Sequence, residues 1–205
     1  MTDYIKKTIK KYDKIAEDYA KKIQDLAQIE LLKKFANLLP KNGLVLDCGC
    51  AAGRDSRIIK DFGFDVLGID LSKELLKIAQ KNNPDIKFLL ADIRKLPFPK
   101  NYFDGLWVST VFHHLQKKDM LPALKEFYRV LKPDGVLFIS TKFGTKKFFG
   151  KDKLSLGEKR EFTLLTENDL EAMIKKTNFI KLSLDQIQDL VRKEVFWLVG
   201  FYRKN

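Results

Sequence analysis

The sequence predicts a doubly wound α/β fold, in which a parallel sheet is covered by helices on both faces. Short apolar runs alternate with helical patterns along the chain, and such an alternation implies a parallel sheet. Runs such as LVL and VLGI are continuously apolar, which is typical of strands buried on both faces. The length of 205 residues suits a single domain with one sizeable core.

Residues 1–40 are predicted to form an N-terminal helical cap on this domain. Apolar side chains recur there three and four positions apart, which predicts one or two amphipathic helices. Pro40 and Gly43 mark the end of the helical pattern. The apolar positions are Tyr12, Ile15, Ala16, Tyr19, Ile23, Leu26, Ile29, Leu32, Phe35 and Leu38.

The middle of the chain supplies the strands and helices of the predicted sheet. Helices are clearest at 72–81, where Ser72 is the expected N-cap, and at 121–131. The predicted strands are 44–48, 66–69, 86–90, 105–109 and 136–141.

The last forty residues do not continue this alternation of strands and helices. A helix is predicted over 166–176, with Thr166 as N-cap and Asp169 three residues later. Two strands, 179–187 and 194–202, are close enough in sequence to pair as a hairpin. Residues 142–163 are basic, contain glycines and show no clear period, so we predict a loop or lid there.

Composition narrows the possible partners and compartments. The formal charge is 39 − 27 = +12, but 32 of the basic residues are Lys and only 7 are Arg. Recognition of bases and phosphates relies more on Arg, so charge alone favours nucleic-acid binding only modestly. There is no apolar run of the length of a membrane span and no signal-peptide core, and we expect a cytoplasmic protein. The sequence assigns no oligomeric state.

The two cysteines are expected to be reduced. Cys48 and Cys50 are two residues apart, where a disulfide in an extended strand would be badly strained. His113 and His114 are the only histidines and follow some sixty residues later, so no metal site is predicted.

The most informative segment is LVLDCGCAAGRDS, residues 44–56. It reads as a buried strand ending near Asp47, a turn of small residues at Gly49, Ala51 and Gly53, and a helix start. Small residues let the backbone approach a ligand closely, and the following helix N-terminus offers N–H groups to an anion. The segment therefore predicts a site for a nucleotide-like ligand.

Two acidic residues extend this predicted site. Asp70 follows Gly49 by 21 residues and closes the second strand, where a carboxylate can accept both hydroxyls of a ribose. Asp92 follows the third strand and could accept a hydrogen bond from the amine of adenine. A dinucleotide-binding site would share this outline, but its G-x-G-x-x-G pattern is broken here by Arg54.

Four segments in order carry a resemblance to a known family: DCGCAAG, GIDLS, LLADIRKLPFPKNYFDGLWVSTVFHHL and YRVLKPDGVLFIS. Over residues 12–140 the chain resembles the class I S-adenosylmethionine-dependent methyltransferases, particularly the small type-11 group. The resemblance implies a Rossmann-like, doubly wound, seven-stranded sheet that is mostly parallel with an antiparallel last strand. It also implies S-adenosylmethionine as cofactor. Ala51 stands where the family usually has glycine.

The resemblance also assigns roles to residues. Asp47, Gly49, Cys50, Ala51 and Gly53 would line the methionine portion of the cofactor. Asp70 and Leu71 would hold the ribose and adenine, Asp92 and Ile93 the adenine edge, and Ser109 would close the site. The family's YDxxAxxY segment matches Tyr12, Asp13, Ala16 and Tyr19 and would cover the cofactor.

Some of these residues also have plainer interpretations. Tyr12 and Tyr19 lie on the apolar face of a helix and could serve packing alone. His113 and His114 follow the fourth strand over the expected substrate pocket. They could act as a catalytic base near neutral pH or form a wall of that pocket.

The acceptor of the methyl group is left open between two classes. We expect a small-molecule substrate, with residues 142–163 as a lid over it. The alternative is a tRNA methyltransferase. Residues 142–160 contain Lys142, Lys146, Lys147, Lys151, Lys153, Lys159 and Arg160, interleaved with Phe143, Phe148 and Phe149, and could grip phosphates and stack bases.

The end of the chain bears on the same choice. REFTLLTENDL and FWLVGFYRKN are similar to the tail of wobble-uridine tRNA methyltransferases. Those enzymes carry an Arg–aromatic–aromatic–His run, in which Glu161 and Thr163 replace an aromatic residue and the histidine. A cofactor-sensing module without enzymatic activity is a third possibility, but no defect in the glycine turn or ribose site favours it.

Overall fold

The protein is described by a computed structural model that covers residues 3–145, 148–150, 156–157, 159–189 and 192–205, with the backbone alone for 148–150. Its helices and strands alternate through the middle of the chain, as predicted. The helices are α1 (Asp3–Lys14), α2 (Ala16–Ile23), α3 (Ile29–Ala36), α4 (Arg54–Asp61), α5 (Lys73–Asn82), α6 (Lys117–Val130) and α7 (Glu167–Ile174), with a 3₁₀ turn at Phe112–His114. The strands are β1 (Leu44–Cys48), β2 (Asp65–Asp70), β3 (Lys87–Leu90), β4 (Phe103–Ser109), β5 (Leu131–Lys142), β6 (Phe148–Gly150), β7 (Arg160–Phe162), β8 (Phe179–Gln188) and β9 (Phe196–Lys204).

Seven of the strands form one sheet, in the order β3-β2-β1-β4-β5-β9-β8. Strands β1 to β5 pair in parallel, whereas β9 runs antiparallel to both β5 and β8. The doubly wound fold with an antiparallel last strand is therefore confirmed. The direction of winding reverses between β1 and β4, and ligands bind at such a switch point in open α/β sheets.

Both faces of the sheet are buried, which explains the continuously apolar strands. Leu46 and Leu106 belong to one core cluster, while the adjacent Val45 and Trp107 belong to the cluster on the opposite face. Phe35 of α3 lies 5.3 Å from Trp107, ring to ring, and so packs the N-terminal region onto that second face. Fully burying an apolar side chain of this size contributes about 1.5–3 kcal/mol.

The N-terminal region differs from the prediction in number of helices. One or two were predicted, and the structure has three, because the helical segments are interrupted at Ile15 and again over 24–28. Ile15 has φ −111° and ψ 14°. A single non-helical residue barely changes the spacing of apolar positions, so the pattern continues across this break.

The helix caps follow the sequence closely. Ser72 caps α5 by accepting a hydrogen bond from the Leu75 N–H at 3.2 Å. Thr166 and Asp169 form a capping box at the start of α7. By contrast, α6 begins at Lys117, four residues before the predicted start, and Pro122 lies inside it.

The predicted loop or lid is only partly described. Strands β6 and β7 pair as a small antiparallel sheet within it, which its irregular sequence did not predict. Lys146, Lys147, Lys151 and Lys153, and the side chains of Phe148 and Phe149, lie outside the described residues. Among the residues that are described, the helices fall short of the length and hydropathy that crossing a membrane requires.

Candidate functional site

A cavity of about 270 Å³ opens at the carboxyl ends of β1, β2, β3 and β4. It lies at the switch point of the sheet. Both predicted catalytic histidines and all but one of the predicted cofactor residues line it. These are Tyr12, Tyr19, Asp47, Gly49, Cys50, Ala51, Asp70, Leu71, Asp92, Ile93, Ser109, His113 and His114.

The loop after β1 is tightly turned and fixed to the neighbouring strand. The N–H groups of Gly49 and Cys50 both donate to the Ile69 carbonyl, at 2.8 and 3.0 Å. Gly49 has φ +74° and Ala51 has φ +48°, both in the left-handed region. Alanine pays roughly 1–2 kcal/mol for this conformation. Ala51 therefore adopts a conformation that favours glycine, at some cost in stability.

Gly53 is the predicted cofactor residue that does not line the cavity. It precedes α4 with φ +80°, and a Cβ atom there would lie 2.8 Å from Asn83 Nδ2 and 2.9 Å from the Phe88 ring. Glycine is needed at this position because a side chain would collide with α5 and β3. Gly53 therefore affects the shape of the turn without lining the cavity itself.

Asp70 joins the ends of β1 and β2. Its Oδ2 accepts from the Ala51 N–H at 3.0 Å, and its Oδ1 accepts from the Ser72 N–H at 2.8 Å. Each carboxylate oxygen can accept a second hydrogen bond. Burial raises the pKa of Asp70, although these backbone donors lower it in part. The carboxylate thus holds the loop and retains capacity for a ligand's hydroxyl groups.

Asp47, at the end of β1, is buried beside other acidic groups. Its Oδ2 accepts from the Ser56 hydroxyl at 2.6 Å. Asp55 is held by Arg54 at 2.7 Å and by the Trp107 indole N–H at 2.9 Å. Burial, reinforced by the charge of Asp55, raises the pKa of Asp47 to about 8.

Asp92 is held by a local ion pair. Arg94 donates to it from its backbone N–H at 2.9 Å and from its guanidinium at 2.6 Å, and also reaches Asp119 at 3.3 Å. Burial would raise the pKa of Asp92, but the hydrogen bonds from Arg94 outweigh it and lower the pKa. Asp92 is therefore ionised and faces the cavity as an acceptor.

The YDxxAxxY segment places its two tyrosines in the cavity and its other two residues against α5. Tyr12 and Tyr19 line the cavity and meet edge to face, with ring centroids 5.1 Å apart. Asp13 accepts from the hydroxyl of Ser72, the N-cap of α5, at 2.6 Å. Ala16 packs against Leu75. Helices α1 and α2 are thereby anchored across the cavity, and the two tyrosines both pack against each other and line it.

The two histidines occupy different surroundings. His113 is 3% exposed and packs against Phe162 and Trp197. Burial, together with the nearby charges of His114, Lys142, Arg160 and Arg192, lowers the pKa of His113 well below its usual range. His114 Nε2 lies 3.0 Å from the Tyr12 hydroxyl oxygen. His113 is consequently neutral near pH 7 and lines the cavity.

Beyond the histidines the cavity has a cationic end that sequence reasoning missed. We use this name for Lys142, Arg160 and Arg192 with the aromatic rings of Phe162 and Trp197, all of which line the cavity. The positions come from β5, β7, β9 and the segment before β9. Lys142 and Arg160 were predicted only as part of a basic loop, and local sequence gave no sign of Arg192 or Trp197. The antiparallel register of β5 and β9 places Trp197 opposite Lys142.

The cavity therefore combines two chemical environments. Asp47, Asp70 and Asp92 make one end rich in hydrogen-bond acceptors, and the other end is aromatic and basic. Both cysteines are buried free thiols, and Cys50 lines the acidic end. In the part of the chain that the structure describes, no cluster of three His, Cys, Asp or Glu side chains could hold a metal ion.

Comparison with known proteins finds similarities over the part of the chain that supplies the acidic end of this site. Residues 46–139 match a family model described as a methyltransferase domain. The 2-methyl-6-phytyl-1,4-hydroquinone methyltransferase of Synechocystis sp. is 40% identical over 106 residues, which are 50% of this chain and 33% of that protein. The uncharacterized protein MJ1252 of Methanocaldococcus jannaschii is 29% identical over 99% of this chain and 78% of its own length.

A solved structure shows the same fold over the whole chain. The 1,6-didemethyltoxoflavin-N1-methyltransferase of Burkholderia thailandensis, with bound 1,6-didemethyltoxoflavin and S-adenosylhomocysteine, superimposes with a TM-score of 0.74. The two are 20% identical, and the match covers 100% of this chain and 91% of that chain.

Proposed function

We propose that the chain is a class I S-adenosylmethionine-dependent methyltransferase, as its similarity to a methyltransferase domain and to a known methyltransferase suggests, and that it transfers a methyl group from S-adenosylmethionine to a small molecule. The observation that carries this proposal is that one cavity has both an acidic end and an aromatic, cationic end. Two adjoining environments of opposite character suit two different ligands held side by side.

The acidic end fits the cofactor by the chemistry of its groups. S-adenosylmethionine presents ribose hydroxyls, an ammonium group and an adenine amine, which all donate hydrogen bonds, and carboxylates accept them. Asp70 would hold the ribose with Leu71 beside it, and Asp92 with Ile93 would border the adenine. The methionine portion would lie along Asp47, Gly49, Cys50 and Ala51.

The remaining task of the protein is to position the acceptor relative to the bound cofactor. The bound cofactor supplies a methyl group already activated on a sulfonium. The protein must align the acceptor with that methyl group, exclude water, and take up any proton that the acceptor loses. Tyr12 and Tyr19 cover the cavity from α1 and α2, and Ser109 borders it at the end of β4. These positions suit an enclosed site for a small acceptor.

Burial of two basic residues favours a small molecule over RNA. Under the RNA alternative, Lys142 and Arg160 would belong to a phosphate-binding surface, but they are 6% and 5% exposed and line the cavity. RNA phosphates are contacted by side chains that reach solvent. These two residues therefore support an acceptor that enters the cavity.

Cofactor binding is expected to release a proton at neutral pH. Asp47, with its pKa of about 8, is mainly protonated below that pH. A cationic ammonium placed beside it would favour the carboxylate, so the affinity for S-adenosylmethionine should rise between pH 6 and 8, by up to about tenfold per unit. Calorimetry at pH 7 in buffers of different ionisation enthalpy measures the released proton.

The variant Asp47→Asn is the control for this proton. It cannot ionise, so both the buffer dependence of the heat and the rise of affinity with pH should disappear. An unchanged pH dependence in this variant would assign the proton to another group. The stability of the cofactor-free protein should depend on pH in the opposite direction. Between about pH 4 and pH 8 the native state retains a proton on Asp47 that the unfolded chain has lost, so the free energy of unfolding falls as pH rises.

The histidines are expected to contribute little to proton transfer. A general base typically contributes about a hundredfold or more. His113 is buried and has a lowered pKa, so His113→Asn should reduce turnover by less than about tenfold and leave the pH profile between 6 and 7 unchanged. His114→Asn should act similarly, through its contact with Tyr12. A hundredfold loss together with a lost pH step would instead identify a base.

The proposed function is tested by following the methyl group. The protein is incubated with methyl-labelled S-adenosylmethionine and a cell extract, and label is then measured in small molecules, RNA and protein. We expect label in small molecules. Label in RNA alone would support the tRNA methyltransferase alternative, and its absence from all three would contradict the proposal.

A further inference from the structure

Tyr12 and Asp13 are neighbours in the last turn of α1, but they contact different ends of the cavity. Adjacent residues of a helix point about 100° apart, so one turn can reach two separate elements. Both residues are partly buried. Their contacts connect the acidic end of the cavity with the cationic end through a single helical turn.

On the acidic side, Asp13 holds the N-terminus of α5. Its Oδ1 accepts from the Ser72 hydroxyl at 2.6 Å and from the Glu74 N–H at 3.3 Å. The first N–H groups of a helix lack partners within it, and the helix dipole favours a negative charge there. Asp13 is therefore a second cap of α5, supplied by another helix.

Ser72 joins this contact to Asp70, which would hold the ribose. The Ser72 N–H donates to Asp70 Oδ1 at 2.8 Å, while its hydroxyl donates to Asp13 and accepts from the Leu75 N–H at 3.2 Å. Ser72 is 2% exposed, so water competes little for these bonds. A ligand that fixes Asp70 therefore also fixes the hydroxyl that Asp13 contacts.

On the other side, Tyr12 reaches the cationic end. Its hydroxyl accepts from Arg160 of β7 at 2.8 Å and lies 3.0 Å from His114 Nε2. The rings of Tyr12 and His114 meet edge to face, with centroids 5.5 Å apart. The position of Tyr12 therefore affects the shape of the end that would receive the acceptor.

The turn that carries both residues lies at the end of its helix. Helix α1 ends at Lys14, and the next residue, Ile15, has φ −111° and ψ 14°. Terminal turns of helices fray more readily than interior turns. Loss of the contact between Asp13 and α5 should therefore loosen the turn and release Tyr12.

We infer that Asp13 is a positioning residue that couples the binding of the cofactor to the binding of the acceptor. When the cofactor holds Asp70, Ser72 is fixed, Ser72 fixes Asp13, and the last turn of α1 places Tyr12 for the acceptor. Coupling between two sites typically changes affinity by about fivefold to a hundredfold. The inference rests on the proposed function and adds that the acceptor binds more tightly once the cofactor is bound.

Hydrogen exchange along α1 tests the coupling with S-adenosylhomocysteine as the only ligand. In the unmodified protein, saturating S-adenosylhomocysteine should slow exchange of the Tyr12 and Asp13 amides. Asp13→Ala should reduce this slowing by about fivefold to a hundredfold. Asp13→Asn retains an oxygen that can accept from Ser72 and Glu74, so it should keep most of the slowing.

Asp3→Ala is the matched control, because it removes an exposed carboxylate from the first turn of the same helix. It should show the full slowing. Equal slowing in Asp13→Ala and Asp3→Ala would overturn the inference. Failure of S-adenosylhomocysteine to bind the unmodified protein would contradict the proposed function, whereas binding that leaves exchange in α1 unchanged would overturn this inference alone.

Kinetics separate this coupling from simple support of the cofactor site. The small-molecule fraction of a cell extract supplies the acceptor. Asp13→Ala should raise the KM for that fraction by about fivefold to a hundredfold, and the KM for S-adenosylmethionine by less. Asp13→Asn should recover most of the loss. An equal or larger increase in the KM for S-adenosylmethionine would assign Asp13 to the cofactor site alone and overturn the inference.

Discussion

Replacing Gly49 by alanine is expected to destabilise the protein by about 2–5 kcal/mol and to impair cofactor binding. Two costs combine at this position. The backbone has φ +74°, and a Cβ atom would lie 2.6 Å from both Cβ and Cγ2 of Val111. Val111 lines the cavity and precedes the 3₁₀ turn that carries His113 and His114, so moving it would disturb the site. Denaturant unfolding measures the loss of stability.

Gly63 offers a matched control for the backbone cost. It has φ +93°, and a Cβ atom there would meet nothing within 4 Å. Gly63→Ala should cost only the roughly 1–2 kcal/mol of the left-handed conformation. Because Val111→Gly removes both colliding atoms, the double variant with Gly49→Ala should lose less than the sum of the single losses. Equal losses in Gly49→Ala and Gly63→Ala would show that the contact with Val111 is unimportant.

Replacing Asp70 by alanine is expected to weaken binding of S-adenosylmethionine and its demethylated product by about tenfold to a hundredfold. The loss corresponds to roughly 1.5–3 kcal/mol for hydrogen bonds to a charged group. The same change removes the acceptors of the Ala51 and Ser72 N–H groups, so the loop after β1 should also loosen. Calorimetric titration measures the affinity, and hydrogen exchange of the Ala51 amide measures the loosening.

The start of the same strand supplies the control. Asp65 pairs with Lys60 at 3.1 Å on the surface, at the opposite end of β2 from Asp70. Asp65→Ala should leave cofactor affinity unchanged. Asp70→Asn keeps the size of the side chain but turns an amide N–H toward a backbone donor, and it should bind almost as weakly as Asp70→Ala. Full affinity in Asp70→Asn would assign the ribose to another residue.

Much of the fold follows from local sequence. The apolar run at 44–48 coincides with β1, and Ser72 and Thr166 cap the helices that they were expected to cap. These features depend on neighbouring residues, so the sequence displays them directly. The start of β5 at Leu131 could not be predicted in this way, because Pro133 and Gly135 indicate a turn. Pairing of Phe103 with Leu131 extends the strand there.

The two ends of the candidate site differ in the same way, because local sequence predicts one end and not the other. Its acidic end follows from Asp47, Asp70 and Asp92, because each residue comes at or just after the end of a parallel strand and those ends share one edge of the sheet. The cationic end depends on a long-range arrangement, in which β9 returns beside β5 and brings Trp197 to Lys142. No local pattern predicts that register. Lys142 and Arg160 were therefore interpreted as surface charges.

The central claim, a cofactor site for S-adenosylmethionine at the carboxyl ends of β1, β2 and β3, is tested most directly by calorimetric titration of the unmodified protein. Separate titrations with S-adenosylmethionine, S-adenosylhomocysteine and NADH use the same preparation. The account predicts one site per chain for both methionine-derived ligands and no heat of binding with NADH. Binding of NADH alone, or of none of the three, would contradict it.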